Sequence, residues 1–78
     1  MIKLLGTSGC HLCDVAEKIV RRMAPELGIE LKKIDIATSE ALVEQYGISI
    51  PVLHHNSGSE LFWPFDDEQL RTWFNGLS

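Results

Sequence analysis

Seventy-eight residues, 45% of them hydrophobic and 23% charged, make one small domain with no room for a second, and exclude both a disordered chain and a disulfide-dense secreted scaffold. Folding at this length hides only about 60% of the surface the open chain would show, so the core is thin. The net charge of −4 hides an asymmetry: residues 1 to 33 carry six bases and four acids, residues 34 to 70 carry seven acids and no base, which disfavours nucleic acid and anionic membranes as partners. No apolar run approaches the roughly 18 residues of a membrane span, and the start of the chain lacks the pattern of a secretory leader, so a cytoplasmic, monomeric protein is expected.

Ile2 to Leu5 reads as a buried strand closed by the loop Gly6-Thr7-Ser8-Gly9. A helix follows, with Leu12, Ala16, Ile19, Val20, Met23 and Leu27 recurring at three- and four-residue steps. Pro25 is expected to end or kink it before Gly28. Ile29 to Ile36 reads as a second strand whose alternation slips at Lys32-Lys33, through a bulge or an exposed edge. Thr38 or Ser39 caps a short helix turning Leu42, Val43 and Tyr46 inward and ending at Gly47.

Ile48 to His55 gives a strand around Pro51, and Asn56-Ser57-Gly58-Ser59 turns the chain into a further strand, Glu60 to Phe65, with Pro64 demanding an edge or a bulge. Asp66 with Gln69 has the pattern of a capping box, Phe65 and Leu70 that of a hydrophobic staple, and Leu70, Trp73, Phe74 and Leu77 form one apolar face. The order β-α-β-α-β-β-α predicts an α/β fold: a mixed four-stranded sheet with helices on both faces.

Chemistry is concentrated in Cys10-His11-Leu12-Cys13, at the passage from a glycine-containing loop into a helix. Residues three apart on a helix have side-chain roots about 5 to 6 Å apart, close enough for a disulfide. A bridge closing so short a loop restricts the unfolded chain by only about 2 kcal/mol, which makes it a poor staple. In a reducing compartment such a pair points to redox or metal work. Free amide donors and the positive end of the helix dipole favour a thiolate at Cys10, the attacking group, with Cys13 one turn deeper as the resolving thiol. His11, when protonated, would add to that effect.

These residues resemble the thioredoxin superfamily, and within it the small glutaredoxin-like proteins with a Cys-His-Leu-Cys centre. The resemblance spans nearly the whole chain through three anchors: Cys10 to Cys13, Ser49-Ile50-Pro51-Val52, and Leu61 to Asp67. It implies a thioredoxin-like fold and thiol-disulfide exchange with a protein or a glutathione mixed disulfide, without an organic cofactor or metal. Glutathione would enter as a co-substrate, and a reductase partner would restore the dithiol. It further implies a cis Pro51 facing the cysteines, Ile50 offering backbone hydrogen bonds to substrate, and Asp66 and Asp67 near the glutathione γ-glutamyl end. Two departures stand out: His11 replaces the family's proline, and no basic residue precedes Cys10 between Gly6 and Gly9.

The competing readings are a metal site, with His54 or His55 joining the cysteines, an iron-sulfur cluster bridged between two chains, and a redox-inactive adaptor gripping peptides at the Pro51 edge. Alternation along a strand would let only one of those histidines face the pair.

Overall fold

The computed structural model describes residues 1 to 77. Its elements are β1 (Ile2–Gly6), α1 (His11–Leu27), β2 (Leu31–Asp35), a 3-10 turn (Ile36–Thr38), α2 (Glu40–Tyr46), β3 (Val52–His55), β4 (Glu60–Phe62) and α3 (Asp67–Asn75). The four strands form one sheet in the order β2-β1-β3-β4. β1 and β2 run parallel, joined by the α1 crossover, and the other two pairings are antiparallel. The expected mixed α/β sheet with helices on both faces is the observed architecture.

Alternation along β1 divides the core in two. Ile2 and Leu4 face α1 and α3 with Ala16, Val20, Met23, Leu53, Phe65 and Leu70, whereas Leu5 faces α2 with Ile36, Tyr46 and Val52. Two ion pairs, Arg22–Asp67 and Arg71–Glu26, tie α1 to α3 across the first of these layers. The capping box at the head of α3 is complete: Gln69 N–H donates to the Asp66 carboxylate at 2.8 Å, and Asp66 N–H donates to the Gln69 side chain at 3.0 Å.

Element ends depart from the sequence expectations for identifiable reasons. α1 runs through Pro25 to Leu27, because the proline sacrifices only its own donor; Gly28, at φ 72°, closes the helix by donating to Ala24 O at 2.8 Å. Ile29 also donates to Ala24 O and Ile36 enters the 3-10 turn, so β2 is shorter than the apolar run around it. The register from Ile2↔Leu31 to Gly6↔Asp35 is unbroken, and Lys32-Lys33 is explained by an exposed edge, not a bulge. β3 begins at Val52 because Ser49 and Ile50 turn their N–H groups back to Tyr46 O. Beyond Phe62, the last residue of β4, Trp63 N–H still donates to Pro51 O opposite it, and the ladder ends where Pro64 has no donor.

Besides Met1, four large apolar residues are exposed: Leu12 and Val43, which the helical patterns turn inward, and Ile48 and Phe62 of the expected strands. α2 buries a single stripe, Leu42 and Tyr46, and Val43 lies off it. Leu12 sits on the first turn of α1, and Ile48 projects fully into solvent just before Ser49 and Ile50, the two residues that donate to Tyr46 O. Phe62 is on the α2 face of the sheet, opposite Val52, but α2 is too short to cover the β4 edge.

Candidate active site

The end of β1 places the cysteines. Gly6 is buried, and a methyl group there would lie 2.9 Å from Cys13 Sγ and 3.2 Å from Cys13 Cβ; the strand must end without a side chain for Cys13 to pack against it. After Gly6 the loop delivers Cys10 to the N-cap position of α1, with extended backbone. The two sulfurs are joined in a disulfide, and their Cα atoms are 5.2 Å apart. Cys13 N–H donates to Cys10 Sγ at 3.2 Å, so the sulfur takes the place of the oxygen that usually satisfies a first-turn donor. Cys13 is only 6% exposed while Cys10 is part-exposed. One sulfur is reachable from solvent and its partner lies behind it, on the Gly6 side.

Sheet register brings the second anchor to the same end. Leu5 is opposite Val52 in the antiparallel β1/β3 pair, which sets the residue before Val52 level with Gly6. That residue, Pro51, is fully buried, and its peptide bond with Ile50 is cis. Ile50 N–H is already donated to Tyr46 O at 3.2 Å, and Pro51 O receives Trp63 N–H at 3.2 Å. Trp63-Pro64 is a second cis bond. The sequence gives no signal for either pairing between loops.

The remaining candidates are spread around this end. His11 is exposed on the first turn of α1. Asp66 and Asp67 stand at the head of α3 with partners of their own, Gln69 and Arg22. A cavity of about 420 Å³ opens beside Cys13 on the β2 side, bordered by Thr7, Ser8, Gly9, Asp14, Glu17 and Lys33. Arg21 and Lys33 both bind the Glu17 carboxylate there and hold its pKa below the usual range.

His54 and His55, weighed above as ligands beside the cysteines, are engaged on β3: His54 Nδ1 meets Glu60 at 3.2 Å, and His55 Nδ1 meets the Ser57 hydroxyl at 2.9 Å. Among the described residues no three His, Cys, Asp or Glu side chains converge as a metal site. The contacts missed by sequence reasoning are Gly6 against Cys13 and Tyr46 against Glu60; both depend on which strand ends meet, and a single sequence carries no mark of that.

Comparison with known proteins agrees with this geometry. Residues 1–75 match the family described as "Glutaredoxin-like domain (DUF836)". None of the curated proteins is detectably similar. Among solved structures, the X-ray structure of the structural genomics target protein XcR50 from X. campestris is 32% identical, with a TM-score of 0.90 and complete coverage of both chains. The solution structure of XcR50 matches at a TM-score of 0.85, covering 99% of this chain and 95% of that one. Protein Ne2328 from Nitrosomonas europaea is 28% identical, with a TM-score of 0.79 over 92% of this chain and 87% of its own. With a family match over nearly its whole length and a disulfide-linked CxxC at the head of the first helix, the chain belongs to the glutaredoxin-like (DUF836) family.

Proposed function

We propose that the protein is a dithiol-disulfide oxidoreductase acting on protein disulfides in the cytoplasm. The observation that carries this reading is the unequal exposure of a bonded sulfur pair at a helix N-terminus, with Cys10 reachable and Cys13 buried behind it. In the reduced protein the Cys13 amide and the other first-turn donors favour negative charge on Cys10 Sγ. The Cys10 thiolate attacks one sulfur of a substrate disulfide; the other sulfur leaves as a thiolate and takes up a proton. Cys13, deprotonated, then attacks Cys10 Sγ and expels the second substrate thiolate, which is protonated in turn. The substrate gains two electrons and two protons, the protein is left as the Cys10–Cys13 disulfide, and a thiol reductant restores it.

A protein substrate is favoured over a dedicated glutathione site because Asp66 and Asp67 are bound to Gln69 and Arg22 and no base lies between Gly6 and Cys10. Ile50 and Pro51 border the path of the substrate chain, and His11 flanks the attacking sulfur. The test is reduction of insulin disulfides with dithiothreitol as electron source. Cys10→Ser should abolish it, and Cys13→Ser should accumulate a mixed disulfide visible by intact mass. Undiminished reduction by Cys10→Ser would refute the reading and leave the adaptor alternative standing.

A further inference from the structure

The thiol chemistry leaves one polar cluster unused, on the sheet face covered by α2. The Tyr46 hydroxyl, at the C-terminal end of α2 and buried, donates to Glu60 Oε2 at 2.5 Å, and His54 Nδ1 approaches the same oxygen at 3.2 Å. Gln45 Nε2 donates to the Tyr46 hydroxyl at 3.3 Å. Tyr46, and then His54, holds the Glu60 carboxyl below its ordinary range, and the phenol is correspondingly pushed up. A phenol donating to a carboxylate is a charge-assisted bond, stronger and more directional than a neutral one.

The same residue controls the loop that precedes β3. Tyr46 O accepts both Ser49 N–H, at 2.8 Å, and Ile50 N–H, at 3.2 Å. From the other side Trp63, the first residue after β4, donates its N–H to Pro51 O. Glu60 is the first residue of β4. The segment 49–51 is therefore held between α2 and the β3/β4 hairpin, and the Tyr46–Glu60 bond joins those two supports.

We infer that Tyr46, locked to Glu60, is a positioning residue that fixes the Ser49–Pro51 segment as the platform on which an extended substrate chain is laid beside Cys10. This rests on the dithiol-exchange reading above. Tyr46 makes no hydrogen bond to either cysteine among the described residues, so its loss should leave sulfur chemistry intact. What it removes is preorganisation: a loosened platform must be ordered by the substrate on binding.

The test compares insulin disulfides with the small disulfide 5,5′-dithiobis(2-nitrobenzoic acid). Tyr46→Phe and Glu60→Ala should each raise KM for insulin about fivefold with kcat nearly unchanged. Neither should alter the rate with the small disulfide or the pH profile of Cys10 alkylation by iodoacetamide. Glu60→Gln, which keeps an acceptor oxygen for the phenol, should recover most of the loss, and the Tyr46→Phe/Glu60→Ala double variant should be no worse than either single one. An unchanged insulin KM, or equal slowing with both substrates, would overturn the inference. A wild-type protein inactive on both disulfides would refute the functional reading instead. Amide hydrogen exchange at Ser49 and Ile50 then decides the positioning role without substrate: it should quicken about tenfold in Tyr46→Phe while Val20 stays protected, and equal exchange overturns the role.

Discussion

Gly6 shows how a single missing side chain shapes the chemistry. The disulfide leaves Cys13 little freedom to retreat, and a β-carbon at position 6 would come within 2.9 Å of its sulfur. Gly6→Ala should therefore cost about 1 to 3 kcal/mol, the range for overpacking a filled interior, measured as the change in denaturant midpoint of the oxidised protein. The effect should shrink once the cysteines are reduced and Cys13 Sγ can rotate away. A loss of the same size in both redox states would show that the methyl group meets something other than the bridged sulfur. Cys10 and Cys13 were legible because their placement is local: a strand, a glycine loop and the first turn of a helix follow one another within a dozen residues.

At the level of elements, α3 is the best-specified piece of the chain and the easiest to weaken cleanly. Replacing Asp66 with Ala removes the acceptor for Gln69 N–H and leaves a first-turn donor unpaired, for about 1 kcal/mol. In a domain of this size that is a fall of about 4 to 8 °C in Tm, readable by circular dichroism, and Asp66→Asn should recover most of it because the amide oxygen still accepts. Such caps are written in residues three apart, so the sequence reveals them.

Burial is different, since it depends on what lies opposite. Leu12, Val43, Ile48 and Phe62 have the composition of core residues, and each is exposed because no element reaches over it. The start of β3 was misplaced for a related reason: Ser49 and Ile50 give their donors to Tyr46 O, a choice set by the α2 end and not by their own β propensity. Tyr46 and Glu60, 14 residues apart, meet only because the sheet order brings β3 and β4 past the end of α2.

The whole molecule carries its charge dependence in a few carboxylates. Glu17, Glu26 and Glu60 all have pKa values below the usual 4.5, through Arg21 and Lys33, Arg71, and Tyr46 and His54 respectively. A carboxyl whose pKa is lower in the folded than in the unfolded state stabilises the fold above its unfolded pKa, and that contribution disappears as pH falls through the folded value. Stability should thus be flat through neutrality with respect to these groups and decline below about pH 4.5, as followed by thermal melts in an acid series. Glu26→Gln and Glu17→Gln should flatten the decline. Added salt should change the neutral-pH Tm little, because Glu26, Arg71, Arg22 and Asp67 form solvent-exposed pairs of small individual worth.

The rim of the sheet formed by β2 has a bearing on how the molecule behaves in a crowded solution. An open strand is a template on which another chain can crystallise its own backbone, and five-residue β2 offers one such row of free amides and carbonyls. Lys32 stands exposed on this strand and would be brought towards its own counterpart if two molecules tried to zip together along that rim, whereas Lys33, on the opposite face, is already paired with Glu17. A charge so placed works against the meeting of two such rims and leaves the strand open to solvent instead.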